Sequence, residues 1–180
     1  MKKIFTVLVL LCATLVASAQ DVPSSFPRKY LIEHFTGDQC GFCPYGMYSI
    51  MEYSANTTTP CIWVSHHYGF YNDEYTIPES AKIGSTCGVQ GAPNMAMNRT
   101  KIMGTAIAFH PGYLTEDGMA ETIADKCDTT AEASVVIEHT YNAETRQLDV
   151  TVSGQVADTT VTEYLLTVLI KENGLIGKQA

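Results

Sequence analysis

Two cysteines separated by two residues, with an apolar run before them and a proline behind, restrict this chain more than any other feature. Residues 30–36 are rich in aromatic and β-branched side chains and predict a strand. Gly37-Asp38-Gln39 ends it, and Cys40-Gly41-Phe42-Cys43 follows. Pro44 suits the first turn of a helix, where its missing N–H costs nothing. Residues 45–53 carry Met47, Ile50 and Met51 at helical spacing, and residues 56–60 close the helix. Residues 61–65 predict a second strand. A strand, a helix and a second strand at these lengths suit a right-handed βαβ unit with parallel strands.

The position of the cysteines has a chemical use. A helix start offers unpaired N–H groups and the positive end of the helix dipole. Both favour thiolate and lower a cysteine pKa. Cys40, expected at an open helix start, would attack a disulfide, and Cys43 would resolve the mixed disulfide. A static structural disulfide explains the same two residues. Half of a zinc site would as well, but the chain holds no second CxxC.

Export fits this chemistry. Lys2 and Lys3, the apolar stretch 4–16 and the small residues Ala17-Ser18-Ala19 read as a signal peptide over residues 1–19. Of the chain's 6 cysteines, Cys12 lies in that leader. Cys40, Cys43, Cys61, Cys87 and Cys127 remain for an oxidising compartment, an odd number that leaves one thiol over. Cys61 and Cys87 are expected either to pair with each other or to stay apart, with Cys61 a buried thiol. Cys127 is the expected odd one out. The chain has 11 Lys and Arg against 19 Asp and Glu, a net charge of −8, and the leader removes two of the lysines. So acidic a chain is a poor nucleic-acid binder. No segment after residue 19 is apolar for the roughly 20 residues a membrane helix needs.

Further along, residues 66–77 read as a loop rich in Tyr and Gly. Pro78 starts a short helix ending near Cys87-Gly88. Gly91-Ala92-Pro93-Asn94 is a tight turn into a short strand over 95–98. Residues 102–109 suit a strand or a buried loop. Thr115 is expected to cap a helix containing Met119 and Ile123. The character changes after Asp128. Residues 134–140, 147–153 and 162–171 alternate apolar and polar side chains and predict three strands, with a hairpin turn over 142–146. Three strands leave an edge and an apolar face unpaired. The expected organisation is a signal peptide (1–19), an α/β domain (20–130) and a partial antiparallel β-domain (131–180) that reads as truncated.

The sequence resembles thioredoxin-like proteins and, more narrowly, the Omp28-related group of exported Bacteroidetes proteins. The residues that carry the resemblance are Leu31-Ile32-Glu33-His34-Phe35-Thr36-Gly37 and Cys40-Gly41-Phe42-Cys43-Pro44. Gly91-Ala92-Pro93-Asn94 with Asn98-Arg99, and the run Leu166-Thr167-Val168-Leu169-Ile170, add to it. The resemblance implies a thioredoxin-like three-layer domain over roughly residues 28–130, with the β-region as a separate sheet domain. It implies that Pro93 is cis and lies against the cysteine pair, so that the Ala92 backbone meets an incoming peptide. Thioredoxins proper carry Trp before the first cysteine, where this chain has Gln39. They carry a buried acid six positions before it, where this chain has His34 with Glu33 beside it. Neighbours on a strand face opposite ways, so one of Glu33 and His34 is expected to face the cysteines and relay a proton from Cys43.

The expected function is thiol–disulfide exchange with exported protein or peptide substrates at Cys40, Cys43, Ala92 and Pro93, with no cofactor and no metal. A redox partner must reset the pair. The alternative is a non-enzymatic envelope or surface protein with a structural Cys40–Cys43 disulfide and a partner-binding β-domain. The resemblance places either protein in the periplasm, or at the outer membrane or cell surface, without a membrane-spanning helix. His66-His67 invites a metal reading, but adjacent side chains on an extended segment diverge. Tyr68, Phe70, Tyr71 and Tyr75 line a peptide-contact surface or cover the core.

Overall fold

The computed structural model describes residues 23–177, so the expected signal peptide lies outside the described residues. The fold is mixed α/β. Its centre is a three-stranded sheet of β2 (Tyr30–Thr36), β3 (Cys61–His67) and β4 (Asn94–Met97), in the order β3-β2-β4. β2 and β3 run parallel, joined through α1 (Cys43–Asn56), as the βαβ pattern requires. β4 is antiparallel to β2, with His34 opposite Met95 and Glu33 opposite Ala96. A single antiparallel bridge from Met95 to Phe109 continues the sheet. Residues 102–108 are otherwise loop, which resolves that ambiguity.

The two faces of the sheet bury different clusters. On one, Ile32, Met95 and Met97 pack against Ile50 and Tyr53 of α1, Leu114, and Ile123 of α3 (Met119–Lys126). On the other, Phe35 and Ala96 pack with Val89 and with Cys87 of α2 (Pro78–Cys87). Gly88 takes φ 75° and ends α2 in the left-handed cap a glycine supplies without strain. Thr115 does not cap α3. It closes a 3-10 turn (Pro111–Thr115), and α3 starts after Gly118, at φ 74°.

α1 buries a narrower stripe than the sequence suggests. Cys43, Gly46, Ser49, Ile50 and Tyr53 face inward. Met47 and Met51, which mark the helical spacing in the sequence, face outward because the stripe that follows from Cys43 lies about 100° round the helix from them.

The first described residues are not a loose lead-in. β1 (Phe26–Pro27) pairs antiparallel with β5 (Thr130–Ala131). Beyond it, β6 (Ala133–Asn142) and β7 (Gln147–Val156) form a hairpin. Its turn is held by Asn142 Oδ1, which accepts from the N–H groups of Glu144 and Thr145. Gly154 is required where β7 crosses β6, since a Cβ there would run into the Ser134 carbonyl oxygen. One side of the hairpin carries Val135, Ile137, His139 and Tyr141 opposite Gly154, Val152, Val150 and Leu148; the other is polar apart from Val136. The third expected strand does not form. Residues 162–171 take neither helix nor strand, because alternation marks the faces of a strand but only a paired edge makes one.

Candidate functional site

The site lies at the C-terminal end of β2. The chain leaves β2 at Thr36, turns so that the Cys40 N–H donates to the Gly37 carbonyl, and enters α1 at Cys43. Cys40 and Cys43 are joined as a disulfide. The Ala92–Pro93 bond is cis. Pro93 packs on the first turn of α1 at Gly46, where an added Cβ would lie 2.8 Å from both Pro93 Cβ and Pro111 Cγ. A glycine inside a helix costs about 1 kcal/mol, so its presence signals this kind of close approach; the sequence reading passed over it.

Cys40 is not open. It is 2% exposed and Cys43 is 0% exposed, so the expectation of a solvent-facing first sulfur is corrected. Gly41 and Phe42, between the two cysteines, are exposed, and nothing lies within 4 Å of an added Cβ at Gly41. The two residues between the cysteines thus face solvent while both cysteines are buried.

A second loop supports that turn. Asp73 accepts from the Asp38 N–H at 3.0 Å and from the Tyr75 N–H at 3.0 Å, and its Oδ2 lies 2.6 Å from His67 Nδ1. Burial alone would raise the Asp73 pKa, but these hydrogen bonds, the one to His67 first, hold it below its usual value. Gly69, at φ 95°, fits against the Gly91 carbonyl. Thus the turn before Cys40, the 69–73 loop and the Ala92–Pro93 bend meet. Asp73 was missed by the sequence reading, since nothing in its neighbourhood marks a hub.

Glu33 and His34 do face opposite ways. His34 lies opposite Met95, and directly opposed residues share a face, so it stands on the α1 side with Cys43. It is fully buried, and neither ring nitrogen has a hydrogen-bond partner among the described residues. Burial, with the positive potential of His67 and His66, pushes its pKa down to about 4, so the ring is neutral at pH 7.

Glu33 faces α2, away from the disulfide. Arg99 donates to both its oxygens at 2.8 Å, and His66 lies 3.5 Å away with Ser80 behind it. Burial would raise the Glu33 pKa, but the Arg99 hydrogen bonds, then His66, hold it down to about 2. It stays ionised at any pH where exchange would run, and it is not the residue beside the cysteines. Arg99 stands 66 residues from Glu33, and no local sequence signal marks it as the partner of Glu33.

The other cysteines are free: Cys61, Cys87 and Cys127. The Cys61–Cys87 pairing is not made, because Cys61 packs on the α1 face of the sheet and Cys87 on the α2 face. Burial raises the pKa of all three thiols. His66 and His67 diverge to Glu33 and Asp73. No three His, Cys, Asp or Glu side chains converge as metal ligands among the described residues. Tyr68 covers Gly84 of α2, whereas Phe70 and Tyr71 are exposed.

No protein-family model and no curated protein matches the chain. Among solved structures it is similar to HBP35 of Porphyromonas gingivalis, with 23% identity and a TM-score of 0.59. The similarity covers 77% of this chain and 45% of that one, so the chain spans less than half of its length. At this identity the likeness is one of fold.

Replacing Arg99 tests the buried pair. Arg99→Met strands a buried carboxylate and should cost about 2 kcal/mol at pH 7, a figure reduced for the partial exposure of Arg99. The Glu33 pKa is depressed from 4.5, so in the native chain its contribution is present above about 4.5 and lost as pH falls toward about 2. In Arg99→Met the deficit should shrink by pH 4, where the stranded carboxyl takes a proton. Urea melts at both pH values measure it; an equal deficit at both would contradict the ion-pair account.

Proposed function

We propose that this chain is a thiol–disulfide exchange protein acting on exported protein or peptide substrates. The observation that carries the reading is the meeting of the Cys40–Cys43 disulfide and the cis Ala92–Pro93 bend on one turn of α1. A disulfide that only holds the chain together has no need of a partner bend packed against its helix. The clusters on both faces of the sheet support a thioredoxin-like, three-layer domain over residues 20–130 with a β-domain over 131–180. We also propose relationship to the Omp28-related group, export, and residence in the periplasm or at the outer membrane. No helix among the described residues is long and apolar enough to cross a membrane.

In the exchange, a substrate thiolate attacks Cys40 Sγ, the Cys40–Cys43 bond breaks, and Cys43 leaves as thiolate and takes a proton. A second substrate thiolate attacks the mixed disulfide and Cys40 leaves in turn. Two electrons pass from the substrate dithiol to the protein pair, and a redox partner removes them. The reverse sequence reduces a substrate disulfide. Ala92 offers its backbone to the substrate. Neutral His34, on the Cys43 side of the sheet, takes up and returns the Cys43 proton. An unpartnered buried imidazole is costly, and its presence beside the pair supports such a purpose.

Burial of Cys40 favours a second reading, a structural disulfide in a non-enzymatic envelope protein. Under the exchange reading the turn at 37–42 must move aside to admit a thiol.

The two readings separate on Cys43→Ser. Folded Cys43→Ser, mixed with a disulfide peptide, should accumulate a mixed disulfide on Cys40, seen by intact mass. Absence of the adduct in the folded variant, with its appearance only after denaturation, would establish the structural reading. His34→Leu removes an unsatisfied polar group, and should stabilise the fold by about 1 kcal/mol while slowing exchange and changing its pH profile. A rate and profile equal to the native ones would remove His34 from the chemistry.

A further inference from the structure

The contact between His67 and Asp73 has no part in the exchange steps above, yet it has the form of an acid–base dyad. Asp73 Oδ2 lies 2.6 Å from His67 Nδ1. The carboxylate side chain is 1% exposed and the imidazole 22%. Asp73 is fixed by other bonds as well. Its Oδ1 accepts from the Tyr75 N–H at 3.0 Å and from the Thr76 hydroxyl at 3.1 Å, and its Oδ2 accepts from the Asp38 N–H at 3.0 Å. A carboxylate at this distance puts the proton of a neutral imidazole on Nδ1 and leaves the lone pair on Nε2. A base oriented by a buried acid is the arrangement that activates a nucleophile.

The dyad stands at the cysteine end of the sheet. His67 ends β3 and is the register partner of Thr36, which ends β2. Alternate strand residues share a face, so His67 lies on the side of β3 that carries Cys61 and Trp63, which pack in the α1 cluster. Cys43 opens that helix. His34 stands on the same face, and the positive potential of His67 reaches it. Through Asp73, the His67 ring is one carboxylate away from the backbone of Asp38, two residues before Cys40. Tyr75 lies on the ring with centroids 5.0 Å apart, and its hydroxyl donates to the Ile176 carbonyl. His66 points to the other face, toward Glu33, and α2 with Lys82 packs on that face too.

We infer that His67 is a catalytic base of the exchange reaction: Nε2 takes the proton of the incoming substrate thiol, and Asp73 holds the ring in the tautomer and orientation this needs. This deepens the exchange reading and rests on it. The attacking species is a thiolate, and an ordinary thiol is mostly protonated at pH 7. In the first displacement the substrate S–H passes its proton to Nε2 and its sulfur attacks Cys40 Sγ. The Cys40–Cys43 bond breaks, and its electron pair leaves on Cys43 Sγ. The imidazolium, stabilised by the Asp73 carboxylate, gives the proton to Cys40 when that sulfur leaves in the second displacement.

Two thiols separate this role from a structural one. Glutathione is mostly protonated at pH 7. The aryl thiol 4-mercaptobenzoate is mostly ionised there and needs no base. Each is mixed with the oxidised full chain, and opening of the Cys40–Cys43 bond is followed by rapid alkylation and intact mass. His67→Asn keeps a donor where Nδ1 stands, and with it the bond to Asp73, but has no Nε2. It should slow opening by glutathione about tenfold or more and leave opening by 4-mercaptobenzoate within about twofold. His67→Gln, also without a base, is read in the same way where His67→Asn does not fold. An equal loss with both thiols would give His67 a structural role and overturn the inference, as would an unchanged rate with glutathione; exchange stands in both cases. A pair that neither thiol opens in the folded native chain would remove the exchange reading and this inference together.

Discussion

The closest approach in the molecule that matters for chemistry is between α1 and two proline rings. Gly46 has no side chain, so Pro93 and Pro111 can sit where a Cβ would be. That contact fixes the first turn of α1 over the end of the central sheet and ties the bend at 92–93 to the disulfide at 40–43. Two regions about fifty residues apart in sequence thereby form one site. On the same face, Ile50 and Tyr53 continue the seam down the helix into the main core. Position at the site and stability of the domain thus depend on the same helix face.

The two sides of β2 have been given opposite electrostatic tasks. On the α2 side, Glu33 is buried as a charge and compensated in full by a two-pronged Arg99 contact, with His66 and Ser80 behind it. Such a pair adds little to net stability and much to the cost of removing one member. On the α1 side, His34 is buried as a neutral ring with no partner. Thr36, Ser54, Trp63 and Asn98 each bury one polar atom without a hydrogen-bond partner among the described residues, but His34 buries two, and unsatisfied polarity of this kind collects at sites that do chemistry.

Much of the centre was legible in the sequence, because its determinants are local. The strand at 30–36, the cysteine turn, Pro44 and the strand from 61 each carry their own signal. What failed was long-range. Alternation says that Glu33 and His34 diverge but not which way, and the answer depends on Arg99 and α1 packing from opposite sides. The spacing of Cys61 and Cys87 is compatible with a bridge until the sheet is seen to lie between them. Met47 and Met51 follow a helical period as well as Gly46 and Ile50 do, and only the prolines select the stripe. The apolar alternation at 162–171 predicts a strand face but supplies no edge to pair with. The setting of Cys40 was illegible for a related reason: the turn before it is held by Asp73, more than thirty residues away.

Burial and exchange make opposing demands on the same sulfur. A covered disulfide resists casual attack, and under the exchange reading the turn at 37–42 moves aside to admit a thiol. The equilibrium reduction potential of the Cys40–Cys43 pair in the folded chain, measured against glutathione and dithiothreitol buffers, bears on this most directly. Exchange proteins poise their pairs between about −120 and −270 mV, and the Cys40–Cys43 pair is expected within that span. A potential below about −300 mV, the range of disulfides that only hold structure together, would contradict it.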